Sequence, residues 1–270
     1  MSEQFDIREL QETLLDAVKE FKKICDEENI TFFLRGGSVM GAVKYGGFIP
    51  WDDDMDIAVP RKDYVRLIEI FNNREIAGKY KVLNSKYQPE LHCYFPRLFL
   101  LESEREKLGL PSNTHLGLHL IDILPLDGAP NNKVSRNIYF CKVYILRFLA
   151  SLGTTYTEGH VDMHTAKQKL LINTAKCLQL HKLFPQQKVY AMLDKLYTRY
   201  DWEKQQYAGT ITASLFKKEV MPTEIWGEGI LHQFETEEYL IPAQYDQYLK
   251  RMYGENYLTE EPANKKSHHE

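Results

Sequence analysis

No stretch of this chain reaches the roughly 18 uninterrupted apolar residues that a membrane-spanning helix requires. Its first residues, MSEQFDIREL, lack the apolar core of a secretory signal, so a cytoplasmic location is the expectation. Cysteine is sparse: Cys25, Cys93, Cys141 and Cys177 lie far apart and form no CxxC pair. That spacing excludes a zinc knuckle and a disulfide framework, and it reads as buried free thiols. Internal repeats and low-complexity tracts are absent, and no nucleic-acid partner is expected. Familiar phosphate and calcium patterns fail as well. Residues 36–41 are no phosphate loop, because Ala42 stands where the lysine belongs. They are no dinucleotide fingerprint either, because Ser38 replaces its second glycine. A calcium loop beginning at Asp52 would need glycine after Asp56, and Ile57 is there.

What is present suits a globular protein. Apolar residues are 43% of the 270 and charged residues 27%, enough for one large domain or a core plus a smaller unit. The net charge of −4 is unevenly placed. Residues 131–200 carry 11 Lys and Arg against 3 acids, a local +8, so the remainder holds −12. A basic face of this kind can meet anionic lipid or an anionic substrate. In residues 7–28, Leu10, Leu14, Val18, Phe21 and Cys25 recur at helical spacing. Short β-branched and aromatic runs predict strands at 31–34, 56–59, 80–83, 92–100 and 116–123. Short helices are expected after Ser38 and over 63–71. Longer ones are expected over 138–152, 164–183 and 188–207, and a last one over 243–252. The expectation is an α/β fold with a mixed sheet. A catalytic core would occupy 1–130, a basic helical insertion 131–215, and a segment returning to the core 216–270.

The chemistry is concentrated in LRGGSVMGAVKYGGFIPWDDDMDIAVPRKDY, residues 34–64. An acidic run by itself is usually a solvated loop. Here it leads into a strand, where alternate side chains share a face. Asp54 and Asp56 therefore point the same way, and Met55 points into the core. Two apposed carboxylates repel each other, and such pairs commonly mark a bound cation. Their hard oxygens suit Mg²⁺ or Mn²⁺. The glycines leave backbone N–H groups at a helix N-terminus for phosphate oxygens. Asp122, between Ile121 and Ile123, is a third acid out of place in an apolar strand unless it has a partner. It could complete coordination or accept an acceptor's proton.

Gly37–Ser38, Asp54–Met55–Asp56 and Asp122 together resemble the polymerase-beta-type nucleotidyltransferase superfamily. The longer strings GGSVMGAVKYGGFIPWDDDMDIAVPRKDY, HLIDILPLDG and FETEEYLIPAQYDQYLKRMYGENY resemble the LicD family of phosphorylcholine transferases, whose wider relatives include the fukutin group. The resemblance covers residues 31–257 and is weakest over 131–215. It implies a nucleotidyltransferase-like core that moves phosphocholine from a CDP-choline donor to a sugar hydroxyl of a cell-surface polymer of teichoic acid type. It implies that Asp54, Asp56 and Asp122 hold the catalytic metals, and that Gly36, Gly37 and Ser38 shape the nucleotide site, with Asp53 beside them. Lys44 stands where relatives often carry arginine, a point charge in place of a fork. Glu235, within Phe234–Glu235–Thr236, lies in a family-like motif, and family tails bring His268 into consideration.

The remaining candidates rest on residue type. Lys44, Arg61 and Arg97 could neutralise donor phosphates, although each alone is more often a surface charge. Trp51, Trp226, Tyr45 and Tyr94 could cage a quaternary ammonium. With 33 aromatic residues in the chain, most must simply be core. His92, His115 and His119 read as core or surface histidines. The basic helical stretch suits peripheral contact with the inner membrane face, where a lipid-linked, anionic glycan acceptor would be met. Two other functions remain open at this point. One is a nucleotidyltransferase attaching a nucleoside monophosphate to a small molecule or sugar. The other is a non-catalytic nucleotide-binding module.

Overall fold

Helix α1 (Ile7–Glu27) forms because its apolar residues fall on one stripe. Leu10, Leu14, Ala17, Val18, Phe21, Ile24 and Cys25 are buried together, and the Asp6 carboxylate caps the first turn by accepting from Arg8 N. Phe21 stacks on Phe71 with ring centroids 4.9 Å apart, which fastens α1 to α3 (Arg61–Phe71). Between them lie β1 (Phe33–Leu34), α2 (Gly36–Tyr45) and β2 (Met55–Pro60). The computed structural model describes residues 6–158, 173, 177 and 179–260. His268 and most of the expected helix over 164–183 lie outside the described residues.

The sheet is mixed. After α3 come β3 (Glu75–Ile76), β4 (Tyr80–Leu83), β5 (Arg97–Leu100), α4 (Glu102–Leu108) and β6 (His119–Ala129). Strand order is β1-β2-β6-β5-β4-β3, with β2 and β6 parallel and the other neighbours antiparallel. The long strand β6 is the spine. Its first half runs between β2 and β5, and its last residues pair with β7 (Tyr207–Gly209). Burial on both faces explains the near-continuous apolar run Leu120–Leu126, which only Asp122 and Pro125 interrupt.

Helix α5 (Lys133–Glu158), α6 (Leu180–Leu183) and α7 (Gln186–Tyr197) follow. Tyr139, Phe140 and Val143 of α5 and Val189, Leu193 and Tyr197 of α7 build an apolar cluster of their own, which meets the sheet at Ala129. The expected helix over 188–207 ends earlier, at Tyr197. The chain then makes a short turn capped by Asp201, and Tyr207 begins a strand on β6. The segment expected to be wholly helical thus returns a strand to the main sheet. Next come α8 (Phe216–Glu219), β8 (Met221–Pro222), α9 (Thr223–Trp226), the hairpin β9 (Ile230–Phe234) with β10 (Glu237–Ile241), and α10 (Tyr245–Tyr253). Cys25 is buried, but Cys141 and Cys177 are exposed, against the expectation of buried thiols. Among the described residues no helix is long and apolar enough to cross a membrane.

Candidate active site

The parallel register of β2 and β6 sets Asp56 directly beside Asp122, and β5 sets Arg97 opposite Asp122. Pleating does the rest. Met55 is 1% exposed and lies in the core, while Asp54 and Asp56 on either side line an open cleft of about 420 Å³. Arg35, Arg97 and Arg147 stand in its walls, and Tyr253 of α10 closes one side.

Helix α2 begins at this cleft. Gly36 has φ +54°, and its N–H donates to Tyr248 Oη at 2.8 Å. A Cβ on Gly36 would sit 3.1 Å from Asp56 Oδ2, and one on Gly37 only 2.9 Å from Asp52 Oδ2. Gly36 is required by its left-handed backbone, and a side chain at Gly37 would displace the Asp52 carboxylate. Ser38 Oγ accepts from Asp56 N at 3.0 Å, tying the helix to β2. The structure therefore brings Gly36, Gly37, Ser38, Asp54, Asp56, Arg97 and Asp122 together.

Acid outweighs base around Asp54. Burial first, then the charges of Asp56, Asp52, Asp122 and Asp53, push its carboxyl up to about 9. Carboxylate oxygens of Asp52, Asp53 and Asp54 lie within 4.8 Å of one another, the spacing of a cation site. Asp53 itself is 1% exposed. The closest acidic trio thus shares only Asp54 with the expected set, while Asp56 and Asp122 each face an arginine. Arg97 Nε lies 2.8 Å from Asp122 Oδ1, and His119 Nε2 lies 3.7 Å from the same oxygen. An all-oxygen donor set short of positive charge fits a hard divalent cation.

Two residues that the sequence did not single out organise this floor. Arg35 donates through Nη1 to Asp56 Oδ2 at 2.8 Å and through Nη2 to Glu219 Oε1 at 2.6 Å. Thr210 Oγ1 in turn donates to Glu219 Oε2 at 2.8 Å. Burial alone would depress the Arg35 guanidinium, but Asp56 and Glu219 hold it above its ordinary value. Burial pushes Glu219 up, and Arg35 and Thr210 act against that rise. Arg35 did carry a signal, since it sits directly before Gly36. Glu219 carried none, because it arrives from 184 residues away.

Other expected site residues are engaged elsewhere. Lys44 Nζ donates to the carbonyls of Tyr257 and Glu260 at 3.2 and 2.9 Å. Arg61 holds the fully buried Asp127 through Nε and Nη2 at 2.7 and 2.5 Å. Glu235, at φ +54° in the β9–β10 turn, is clamped by both Nη atoms of Arg8 at 2.9 and 3.0 Å. None of the three lines the acidic cleft. The expected four-ring cage is not assembled either. Trp226 is fully buried against Phe33 and Tyr248, Tyr45 meets Trp51 edge-on, and Tyr94 packs with Tyr190 and Tyr197.

The family described as "LicD/FKTN/FKRP, nucleotidyltransferase domain" matches residues 29–93, which hold α2, the aspartate run and β2. The lipopolysaccharide cholinephosphotransferase LicD of Haemophilus influenzae is 24% identical over 97% of this chain and 96% of its own length. An uncharacterized protein of Rickettsia prowazekii is 32% identical over 24% of this chain and 25% of its own. Another, of Rickettsia typhi, is 25% identical over 35% of this chain and 30% of its own. With the motifs on α2, β2 and β6 gathered at one cleft and a relative aligned nearly end to end, these likenesses support a member of the LicD family.

Proposed function

We propose that this protein is a metal-dependent phosphorylcholine transferase, moving phosphocholine from CDP-choline to a sugar hydroxyl of a cell-surface polymer. The observation that carries the reading is the near full-length alignment with a relative named a lipopolysaccharide cholinephosphotransferase. The acidic cleft supports it, because phosphoryl transfer is served by positioning and by charges placed around the phosphate. The acceptor is either a teichoic-acid-type precursor, as the motifs imply, or a lipopolysaccharide sugar, as in the relative's name.

Asp54, Asp56 and Asp122 would hold Mg²⁺ or Mn²⁺, with Asp52 and Asp53 adding to the negative field. When bound, the metal supplies charge neutralisation and Lewis acidity to the donor's diphosphate. The chain's own residues supply the rest. Gly37 at the N-terminus of α2 and the guanidinium of Arg97 line the cleft that would take the phosphates. Arg35 fixes the rotamer of Asp56. Asp122, oriented by Arg97, takes the proton of the acceptor hydroxyl. The acceptor oxygen bonds to the choline-bearing phosphorus, the bond from that phosphorus to the bridging oxygen breaks, and CMP leaves. The basic surface of α5 and α7 suits an acceptor presented on an anionic membrane face.

The family's description as a nucleotidyltransferase domain favours a second reading, in which a nucleoside monophosphate is transferred instead. Incubation with CDP-choline labelled separately in the choline and the cytidine separates the two. Choline label in the polymer and cytidine label in CMP support the first reading; cytidine label in the product overturns it.

A further inference from the structure

The acidic cleft shares Phe95, Arg147 and Thr212 with a neighbouring cavity of about 220 Å³, which Tyr94, Tyr190 and Tyr197 also line. Among the described residues no carboxylate lines this second cavity. Arg147 of α5 stands where the two spaces meet. Its Nη1 donates to Ile211 O at 3.3 Å and to Ala213 O at 2.6 Å, and its guanidinium carbon lies 5.2 Å from the centroid of the Phe216 ring. These contacts fix the guanidinium against the loop before α8. Among the described residues, its Nε and Nη2 meet no acceptor and no carboxylate pairs with it. The other two arginines that line the cleft are already balanced, Arg35 by Asp56 and Glu219 and Arg97 by Asp122. The same loop brings Thr212 and Ser214 to the cleft. Thr212 is 6% exposed, and its hydroxyl has no hydrogen-bond partner. Native folds rarely leave such a group unpaired, and a ligand is one way to pair it.

We propose that Arg147, Thr212 and Ser214 form a phosphate subsite, separate from the aspartates that would hold the metal. This rests on the transfer reading above and gives α5 and the loop before α8 a part in binding. A guanidinium anchored at one corner by carbonyls keeps its remaining N–H groups as a planar fork that matches phosphate oxygens. The two hydroxyls add neutral donors. A cation with no carboxylate beside it attracts an anion, whereas Arg35 and Arg97 spend their charge on the protein's own acids. Two groups in the transfer reaction have this chemistry. One is the nucleoside phosphate of the donor, which gains negative charge as its bridging oxygen parts from the choline-bearing phosphorus. The other is a phosphodiester of an anionic acceptor glycan. The donor fits better, because Arg147, Thr212 and Ser214 line the same cleft as Asp54, Asp56 and Asp122, and a single oxygen links the donor's two phosphates.

The test compares wild type with Arg147→Met and Thr212→Val in the full chain, with Mg²⁺ present. Calorimetric binding of CMP reads the donor source, and binding of a lipid-free glycerol phosphate oligomer reads the acceptor source. Melting temperature is followed beside both. Arg147→Met is expected to weaken CMP about tenfold or more, the order of a lost charge-assisted hydrogen bond. Thr212→Val keeps the shape and removes the unpaired hydroxyl. It is expected to weaken CMP about threefold while its melting temperature stays level or rises, a pattern that a merely structural hydroxyl would not give. Weakening of the oligomer in place of CMP keeps the phosphate subsite and assigns it to the acceptor. The proposal is overturned if either variant binds both ligands as wild type does, or if wild type binds neither. It is also overturned if binding falls only in step with melting temperature. If wild type binds CMP but transfers no phosphocholine from CDP-choline, the transfer reading fails and the subsite stands.

Discussion

Replacing Asp54 by asparagine should make the metal-free protein more stable while abolishing turnover. The cause is electrostatic. Burial and four neighbouring aspartates push the Asp54 carboxyl from 3.8 up to about 9. A pKa raised by folding means that the native state prefers the protonated form. Its contribution to stability is complete below the unfolded value near 3.8 and drains away as pH rises through about 9. At pH 7 the chain has climbed about three units of that window, and each unit is worth about 1.4 kcal/mol. The ceiling is thus about 4 kcal/mol. Because Asp54 is partly open to the cleft, water screens part of it, and about 2 kcal/mol is the expected gain. For a chain of this size that raises Tm by about 4–8 °C. Asparagine keeps the shape and removes the charge. Melting should therefore be followed in a chelator from pH 4 to pH 9. The advantage of Asp54→Asn over wild type should start near zero and grow with pH. Adding Mg²⁺ should then raise the wild-type Tm more than that of the variant, since only wild type binds with its full carboxylate set. A metal at a hundred times its Kd stabilises by about 2.7 kcal/mol. A variant less stable than wild type at neutral pH, or an advantage that does not change with pH, would refute the reasoning.

Asp122→Asn should slow transfer by about a hundredfold or more while sparing CDP-choline affinity, as loss of a positioned base does; single-turnover rates beside calorimetric donor binding check it, and unchanged rates leave Asp122 a plain strand acid. Arg35→Met should cost about 3–5 kcal/mol in denaturant titrations, because it strands Glu219 and Asp56 without their shared cation; a stability within 1 kcal/mol of wild type would remove Arg35 from the organising role. Asp127→Ala should also lower stability by about 3–5 kcal/mol by stranding the Arg61 guanidinium, while kcat per folded molecule in the cold stays near wild type. A raised donor KM without loss of stability would instead return Arg61 to the donor phosphates.

The site was legible where local periodicity decides geometry. Alternation in a strand put Met55 inward and Asp54 and Asp56 outward, and that needs no knowledge of the rest of the fold. Asp122 was legible for a related reason, as a charge between two isoleucines on a strand buried on both faces. The arginines and lysines were harder, because a long cationic side chain is assigned by its partner and not by its neighbours in sequence. Lys44, Arg61 and Arg97 looked alike on paper. Tertiary contacts sent Lys44 to carbonyls near the C-terminus and Arg61 to Asp127, and left Arg97 at the cleft.

The same reasoning explains why the four expected cage rings are not gathered in one place. Trp51, Trp226, Tyr45 and Tyr94 were grouped by residue type alone, and only Tyr94 borders the path leading out of the cleft. Its partner Tyr190 lies on α7, which helical periodicity marks only as a packing element. The strand β5 carries Arg97 into the acidic cleft, and the residues just before it carry Tyr94 and Phe95 to the neighbouring cavity. A shift in how α7 packs would therefore move the aromatic wall relative to the acids without touching either motif. The acids of β2 and β6 are held by sheet register, while the aromatic wall is held by helix packing, so the two can change independently.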